Sequence, residues 1–322
     1  MHDDPSTLIT EAEILAARGA IDPVFLATPA ISHPQLDAAL GCSVTLKVET
    51  LNPIRSFKGR GTEALLGSLA VKPTAVVATS TGNFGQGLAR AAQRRGVAAT
   101  ILSPEDANPL KLEAMRRLGA EVRLVPARDG DGKDLARRLA AETDALLVED
   151  GAHREIAAGA GAMAAELTEA GIRPGIVVIQ VGDGALAAGV GSWFRLVLPE
   201  TRIVGVVATG APAMAHSFAA GRAVSTERAD TIADGMNIRR PVASAVAQLR
   251  ACLDEILIVD DAAILEAARL LLGTTGLLAE PSGAAGLAAI ATHPERFAGR
   301  SVAAIFTGSN LTPEFHAKLI AV

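Results

Sequence analysis

Short apolar runs, rich in β-branched residues, punctuate the chain at Val44–Val48, Ala75–Ala78, Ala98–Leu102, Val122–Val125, Ala145–Val148, Ile176–Val181, Ile203–Val207, Ile256–Val259 and Val302–Phe306. Each reads as a strand. The runs are apolar throughout rather than alternating, which suits parallel strands covered on both faces. Between them lie amphipathic helical stretches such as Phe84–Arg95, Leu110–Leu118, Asp134–Glu142 and Ala262–Leu272. Repeated βαβ units with short connections predict an α/β fold with open, doubly wound sheets. The stretch from about Thr62 to Ala145 holds three compact β-α units with Arg-rich helices. It reads as a smaller domain, 62–145, inserted into a larger one made of 1–61 and 146–322. There is no solenoid repeat and no low-complexity tail.

A chain of 322 residues fits two domains at about 150 residues each. Aromatic residues make up 3% with no Tyr, which excludes a nucleic-acid reader built on stacked rings. The formal charge of −5 offers no basic footprint for nucleic acid or acidic lipid. Cys42 and Cys252 are too few for a disulfide scaffold or a zinc site. The acidic, polar opening MHDDPSTLIT is unlike a secretion signal, and no apolar run reaches about 18 residues. A cytoplasmic protein is expected, with no membrane and no nucleic acid among its partners.

In doubly wound folds ligands sit beyond the carboxyl ends of the strands. Four strand-to-helix turns carry candidate chemistry: SFKGRG with Lys58, STGNFGQG with Ser80 to Asn83, GDGALAAG with Gly182 to Gly184, and FTGSN with Thr307. A strand entering a Gly-rich loop and then a helix aims several N–H groups at one point, with the positive end of the helix dipole behind them, and so cradles a phosphate. Gly-rich turns also serve simply to bring a helix close to a sheet, and Asp183 within the loop must turn its carboxylate away from any phosphate. A Lys at a helix start is held where a cation is disfavoured, which lowers its amine pKa as a Schiff-base lysine requires; a lone Lys is also commonly a surface residue. Ser80 and Thr81 read either as helix caps or, with the N–H groups of the helix start, as a carboxylate receptor.

Taken together and in this order, SFKGRG, STGNFGQG, GDGALAAG, EPSGAAG and TGSN resemble the fold type II pyridoxal-phosphate enzymes, with a tryptophan synthase beta-like architecture. LGAEV, GAPAM and TIADG add likeness to the threonine/serine dehydratase and serine racemase branch. The resemblance runs over nearly the whole chain. It implies pyridoxal 5′-phosphate as cofactor, held as a Schiff base by Lys58, which also moves the α-proton. It further implies Phe57 flanking the cofactor, Asn83 bonded to the 3′-oxygen, and Gly182, Asp183, Gly184, Ala185 and Leu186 around the phosphate. Thr307 would meet the pyridine nitrogen, and Gly235 and Glu280 would line the pocket near the ring. Ser80, Thr81, Gly82 and Phe84 would form the substrate side, with Thr81 in a catalytic position. A hydroxyl partner leaves the pyridine nitrogen largely unprotonated, which suits elimination. The implied reaction is loss of water from threonine, serine or another hydroxy amino acid, giving a 2-oxo acid and ammonia. A β- or γ-replacement enzyme and a lyase for an acidic 3-hydroxy amino acid are the alternatives. A homodimer without a regulatory domain is implied.

The chain departs from the branch in four places. Ile54 and Arg55 replace Thr-Gly before the Ser-Phe-Lys; Arg55 reads as a structural ion-pair partner or as a reader of a second substrate anion. Phe84 stands where dehydratases often have His, and Thr81 where serine racemase has Ser, which argues against racemase activity. The positions matching that branch's metal carboxylates are Thr209 and Ala215, so no metal is expected.

Overall fold

The computed structural model describes residues 7–126 and 132–321. Among them, strands β1 (Ala30–Ile31), β2 (Ser43–Val48), β7 (Ile176–Gln180), β8 (Arg202–Ala208), β9 (Glu255–Val259) and β10 (Ser301–Phe306) form one sheet, ordered β1-β2-β10-β7-β8-β9. β1 runs antiparallel to β2, and all other neighbours are parallel. Strands β3 (Ala75–Thr79), β4 (Ala98–Pro104), β5 (Glu121–Val125) and β6 (Leu146–Leu147) form a second, all-parallel sheet ordered β5-β4-β3-β6.

The helices are α1 (Glu11–Ala20), α2 (Pro34–Leu40), α3 (Lys58–Ser68), α4 (Asn83–Arg95), α5 (Pro109–Arg117), α6 (Lys133–Thr143) and α7 (Arg154–Glu169). They continue with α8 (Ala185–Val197), α9 (Ala213–Ala220), α10 (Ala243–Cys252), α11 (Asp261–Thr275), α12 (Pro281–Thr292), α13 (Pro294–Phe297) and α14 (Pro313–Ile320). Helix α4 shows how the local sequence sets a boundary. Arg94 and Arg95 occupy its last turn, where cations favour the negative end of the dipole, and Gly96 closes it at φ +61°.

All nine predicted runs are strands. The two-residue β1 is the addition, too short to carry a periodic signal. Burial differs from the expectation of two covered faces at the sheet edges: β7 is buried throughout, but β5 exposes Glu121, Arg123 and Leu124. β6 pairs with β3, so the smaller sheet takes in residues just past position 145.

Small residues let the central helices approach closely. A Cβ on Gly189 of α8 would stand 1.8 Å from the Ala157 carbonyl oxygen of α7, and one on Gly159 of α7 would stand 2.6 Å from the Arg60 carbonyl oxygen of α3. Beneath α3 lies a buried ionic cluster. Arg60, fully buried, donates to Glu49 (2.7 and 2.9 Å), to Glu166 (2.7 and 2.9 Å) and to Thr28 (3.1 Å). Lys47 donates to Glu166 at 2.5 Å and to the Thr28 carbonyl at 2.6 Å. The cluster has equal numbers of cations and anions and ties β2, α3 and α7 under the segment that starts with Lys58.

Candidate active site

The carboxyl ends of β3, β7 and β10 face a cavity of about 520 Å³. Its walls include Phe57, Lys58, Ser80, Thr81, Asn83, Phe84, Gly182, Asp183, Gly184, Ala185, Leu186, Gly235, Glu280 and Thr307, so every residue that the resemblance assigns to cofactor or substrate, except Gly82, lines one space. Gly82 is instead packed against another wall residue: a Cβ there would meet the Lys111 side chain at 2.2 Å.

Lys58 opens α3. Its Nζ lies 4.7 Å from the Phe57 ring centre and 5.8 Å from that of Phe84, and it forms an ion pair with Asp150. Phe84 thus offers a ring face to the amine.

The loop after β7 is shaped by its glycines. Gly184 adopts φ +104°, and a Cβ on Gly182 would fall 2.2 Å from the Gly235 carbonyl oxygen. Gly184 caps α8 without any side-chain hydrogen bond, and no acidic residue occupies the first turn. The first N–H groups of α8 therefore open into the cavity unsatisfied by side chains, as an anion site requires. Asp183 turns its carboxylate toward Lys133, 3.4 Å away. Burial pushes the Asp183 carboxyl above its ordinary range, Lys133 and Lys58 pull it down, and Asp150 raises it.

The Ser80 hydroxyl accepts from the N–H groups of Gly82 (3.0 Å) and Gly85 (2.8 Å), so it organises the start of α4 while still lining the cavity. Asn83 donates to Glu280 (2.5 Å) and accepts from Asn310 (2.9 Å). Glu280 is nearly fully buried and 3.3 Å from Lys111, whose Nζ also pairs with Asp234 at 2.6 Å. Burial pushes Glu280 up, against the pull of Lys111. Burial also disfavours the Lys111 cation, but the Glu280 and Asp234 carboxylates win and raise its pKa. Thr307 follows β10 and is buried, its carbonyl held by the Phe57 N–H at 3.0 Å.

Arg55 fits neither sequence reading. It is exposed, adopts φ +51°, forms no ion pair with the described residues, and faces a separate hollow shared with His316 and Ser309. Contributors to the cavity that sequence reasoning missed include Lys111, Asp150, Asp234 and Arg239. Lys111 enters from α5 and Asp150 from the loop between β6 and α7, outside the four turns singled out above, and Asp234 lies in the TIADG stretch. Among the described residues no group of three or more His, Cys, Asp and Glu side chains could hold a metal ion. No helix among them is long and apolar enough to cross a membrane.

The model of the family described as pyridoxal-phosphate dependent enzyme matches residues 21–308. The biosynthetic L-threonine dehydratase of Pasteurella multocida is 29% identical over 90% of this chain, and the chain spans 57% of that relative's length. The L-threo-3-hydroxyaspartate ammonia-lyase of a Pseudomonas species is 32% identical, over 91% of this chain and 92% of its own. The solved structure of a threonine deaminase from T.th. superposes with a TM-score of 0.87 at 34% identity, covering 94% of this chain and 98% of that one.

Proposed function

The chain belongs to the family of pyridoxal-phosphate dependent enzymes, and from that premise we propose that it is a lyase removing water from a hydroxy amino acid. The residues fit the cofactor: an amine on Lys58, a helix terminus with free N–H groups at Gly184 to Leu186, and the Thr307 and Asn83 side chains border one cavity. That convergence carries the reading. When bound, pyridoxal phosphate supplies the electron sink that makes the substrate α-proton acidic.

In this reading Lys58 anchors the cofactor and moves the α-proton, and Phe57 flanks the cofactor. The N–H groups of Gly182 to Leu186 hold the phosphate, while Asp183 contributes its backbone and keeps its carboxylate on Lys133. Thr307 presents a hydroxyl to the ring nitrogen and Asn83 an amide to the ring oxygen, with Gly235 and Glu280 beside the ring. Ser80, Thr81 and the first N–H groups of α4, with Gly82 at its start and Phe84 beside it, receive the substrate carboxylate. The relatives named dehydratase and ammonia-lyase support loss of water and ammonia as the outcome. The division into a larger domain (1–61 and 146–322) and a smaller one (62–145), a homodimer and a cytoplasmic setting belong to the same proposal. Light scattering on purified protein tests the dimer.

The test of function is direct. Purified protein is reduced with borohydride and mapped, and the label is expected on Lys58; a label on another lysine overturns the assignment. A screen of hydroxy amino acids then records 2-oxo acid and ammonia release.

A second reading, an acidic 3-hydroxy amino acid as substrate, is favoured by Arg239. Its side chain borders the cavity, half-buried, with no ion pair to any described residue. A guanidinium so placed suits a distal carboxylate. Arg239→Ala is then expected to lower kcat/KM for 3-hydroxyaspartate by about 10- to 100-fold and to leave serine within about threefold. Equal effects on both substrates would remove this reading.

A further inference from the structure

We propose that Asp150 is a catalytic acid that protonates the departing hydroxyl, in relay with Lys58. The proposal rests on the lyase reading above. Asp150 lies between β6 and α7, and its place is fixed by the next residue. Gly151 adopts φ +81°, and a Cβ there would fall 2.2 Å from the Asp183 carbonyl oxygen, so this segment is pressed onto the loop after β7. The side chain is 8% exposed and lines the cavity. One carboxylate oxygen, Oδ2, meets the Lys58 Nζ; the other, Oδ1, is buried without a hydrogen-bond partner. The charged groups facing the carboxylate are Lys58 from α3 and Asp183 from the loop after β7, with Lys133 of α6 behind Asp183.

A buried carboxylate oxygen left unpaired is costly, and such groups call for a role. Elimination of water supplies one. The Cα–H bond breaks and its electron pair forms the Cα=Cβ bond, while the Cβ–O pair leaves with oxygen. A proton must therefore leave at Cα and another arrive at oxygen, because hydroxide departs poorly and water well. Lys58 takes the proton from Cα. Its ammonium passes a proton to Asp150 Oδ2, and the carboxylic acid gives one to the oxygen. Both side chains then stand at their starting charges, and no outside acid is consumed. A carboxylate touching the base and lining the same cavity is placed for this transfer.

The experiment compares two leaving groups in wild-type holoenzyme and in Asp150→Asn. Serine loses hydroxide and needs the acid; β-chloroalanine loses chloride and does not. Serine turnover is expected to fall about 100-fold while β-chloroalanine stays within about threefold of wild type. Independently of turnover, the pH titration of the bound cofactor's visible absorbance, without substrate, is expected to shift down by about one unit, since the anion stabilising a proton on the Lys58 nitrogen is gone. Equal losses on both substrates, no loss on serine, or an unshifted titration overturns the proposal. Should Asp150→Asn not fold, Asp150→Glu is read in the same way, since a displaced acid is also expected to penalise serine selectively. A wild type that releases 2-oxo acid from neither substrate is a different result: it removes the lyase reading itself.

Discussion

Replacing Arg60 by Met is expected to destabilise the protein more than any lost packing explains. The two side chains are similar in length, so the cavity term is small. What disappears is a guanidinium that makes five hydrogen bonds inside the molecule, to Glu49, Glu166 and Thr28. Glu166 then keeps Lys47, while Glu49 keeps the Thr28 hydroxyl and loses its cation. Removing one partner from a buried ionic group costs about 3–5 kcal/mol. Glu166 gives a second estimate. Burial would raise its carboxyl, but Arg60 and then Lys47 hold it down, from 4.5 to about 2. A shift of that size corresponds to about 3 kcal/mol. Its sign is that of a depressed acid: the contribution is present above about pH 4.5 and lost as pH falls toward 2. The assay is urea unfolding of wild type and Arg60→Met at pH 7 and pH 3. The gap should be about 3–5 kcal/mol at pH 7 and should narrow at pH 3. Adding Glu49→Leu to Arg60→Met should recover part of the loss, because it restores equal charge. A gap under about 1 kcal/mol at pH 7, or one that does not change with pH, would refute the reasoning.

Gly182→Ala forces a Cβ against the Gly235 carbonyl, 2.2 Å away, so cofactor affinity should drop at least about tenfold by equilibrium titration. Both thiols are buried, and burial raises Cys42 to about 11 and Cys252 to about 12, so neither should react with an alkylating reagent until the protein is unfolded. Chelator treatment should leave turnover and Tm unchanged, since Thr209 and Ala215 stand where the related metal site needs carboxylates; restoration of activity by magnesium or calcium would contradict this.

The strands and turns were legible because parallel, two-sided burial writes itself as continuous apolar runs, and because anion-binding turns need glycine at fixed places. That is why Gly182, Gly184 and Lys58 could be singled out from sequence and then lie on one cavity. The edge strand β5 was legible from Val122–Val125 although Glu121 and Arg123 are exposed; β1, only two residues long, was not. Asp150 and Lys111 were not legible at all. Each reaches the cavity through the packing of one sheet's connections against the other's, and no local pattern encodes that distance. Arg55 misled for the same reason. It stands three positions before Lys58 in sequence, but the backbone turns through φ +51° there and sends it to another face.

The order of strands in the larger sheet bears on how the chain is made. β10 is the last strand in sequence yet lies between β2 and β7 in the sheet, bonded to both. During synthesis the four strands of the smaller sheet, complete by Leu147, can pair while the ribosome is still far from Ser301. The larger sheet must wait, with the facing edges of β2 and β7 open until its middle strand emerges. Those edges are unpaired rows of N–H and C=O groups, the surfaces most prone to intermolecular pairing. A nascent chain stalled before Ser301 is therefore the species for which chaperone protection matters most. Pulse-labelled chains released at that length should aggregate, whereas chains released past Phe306 should not.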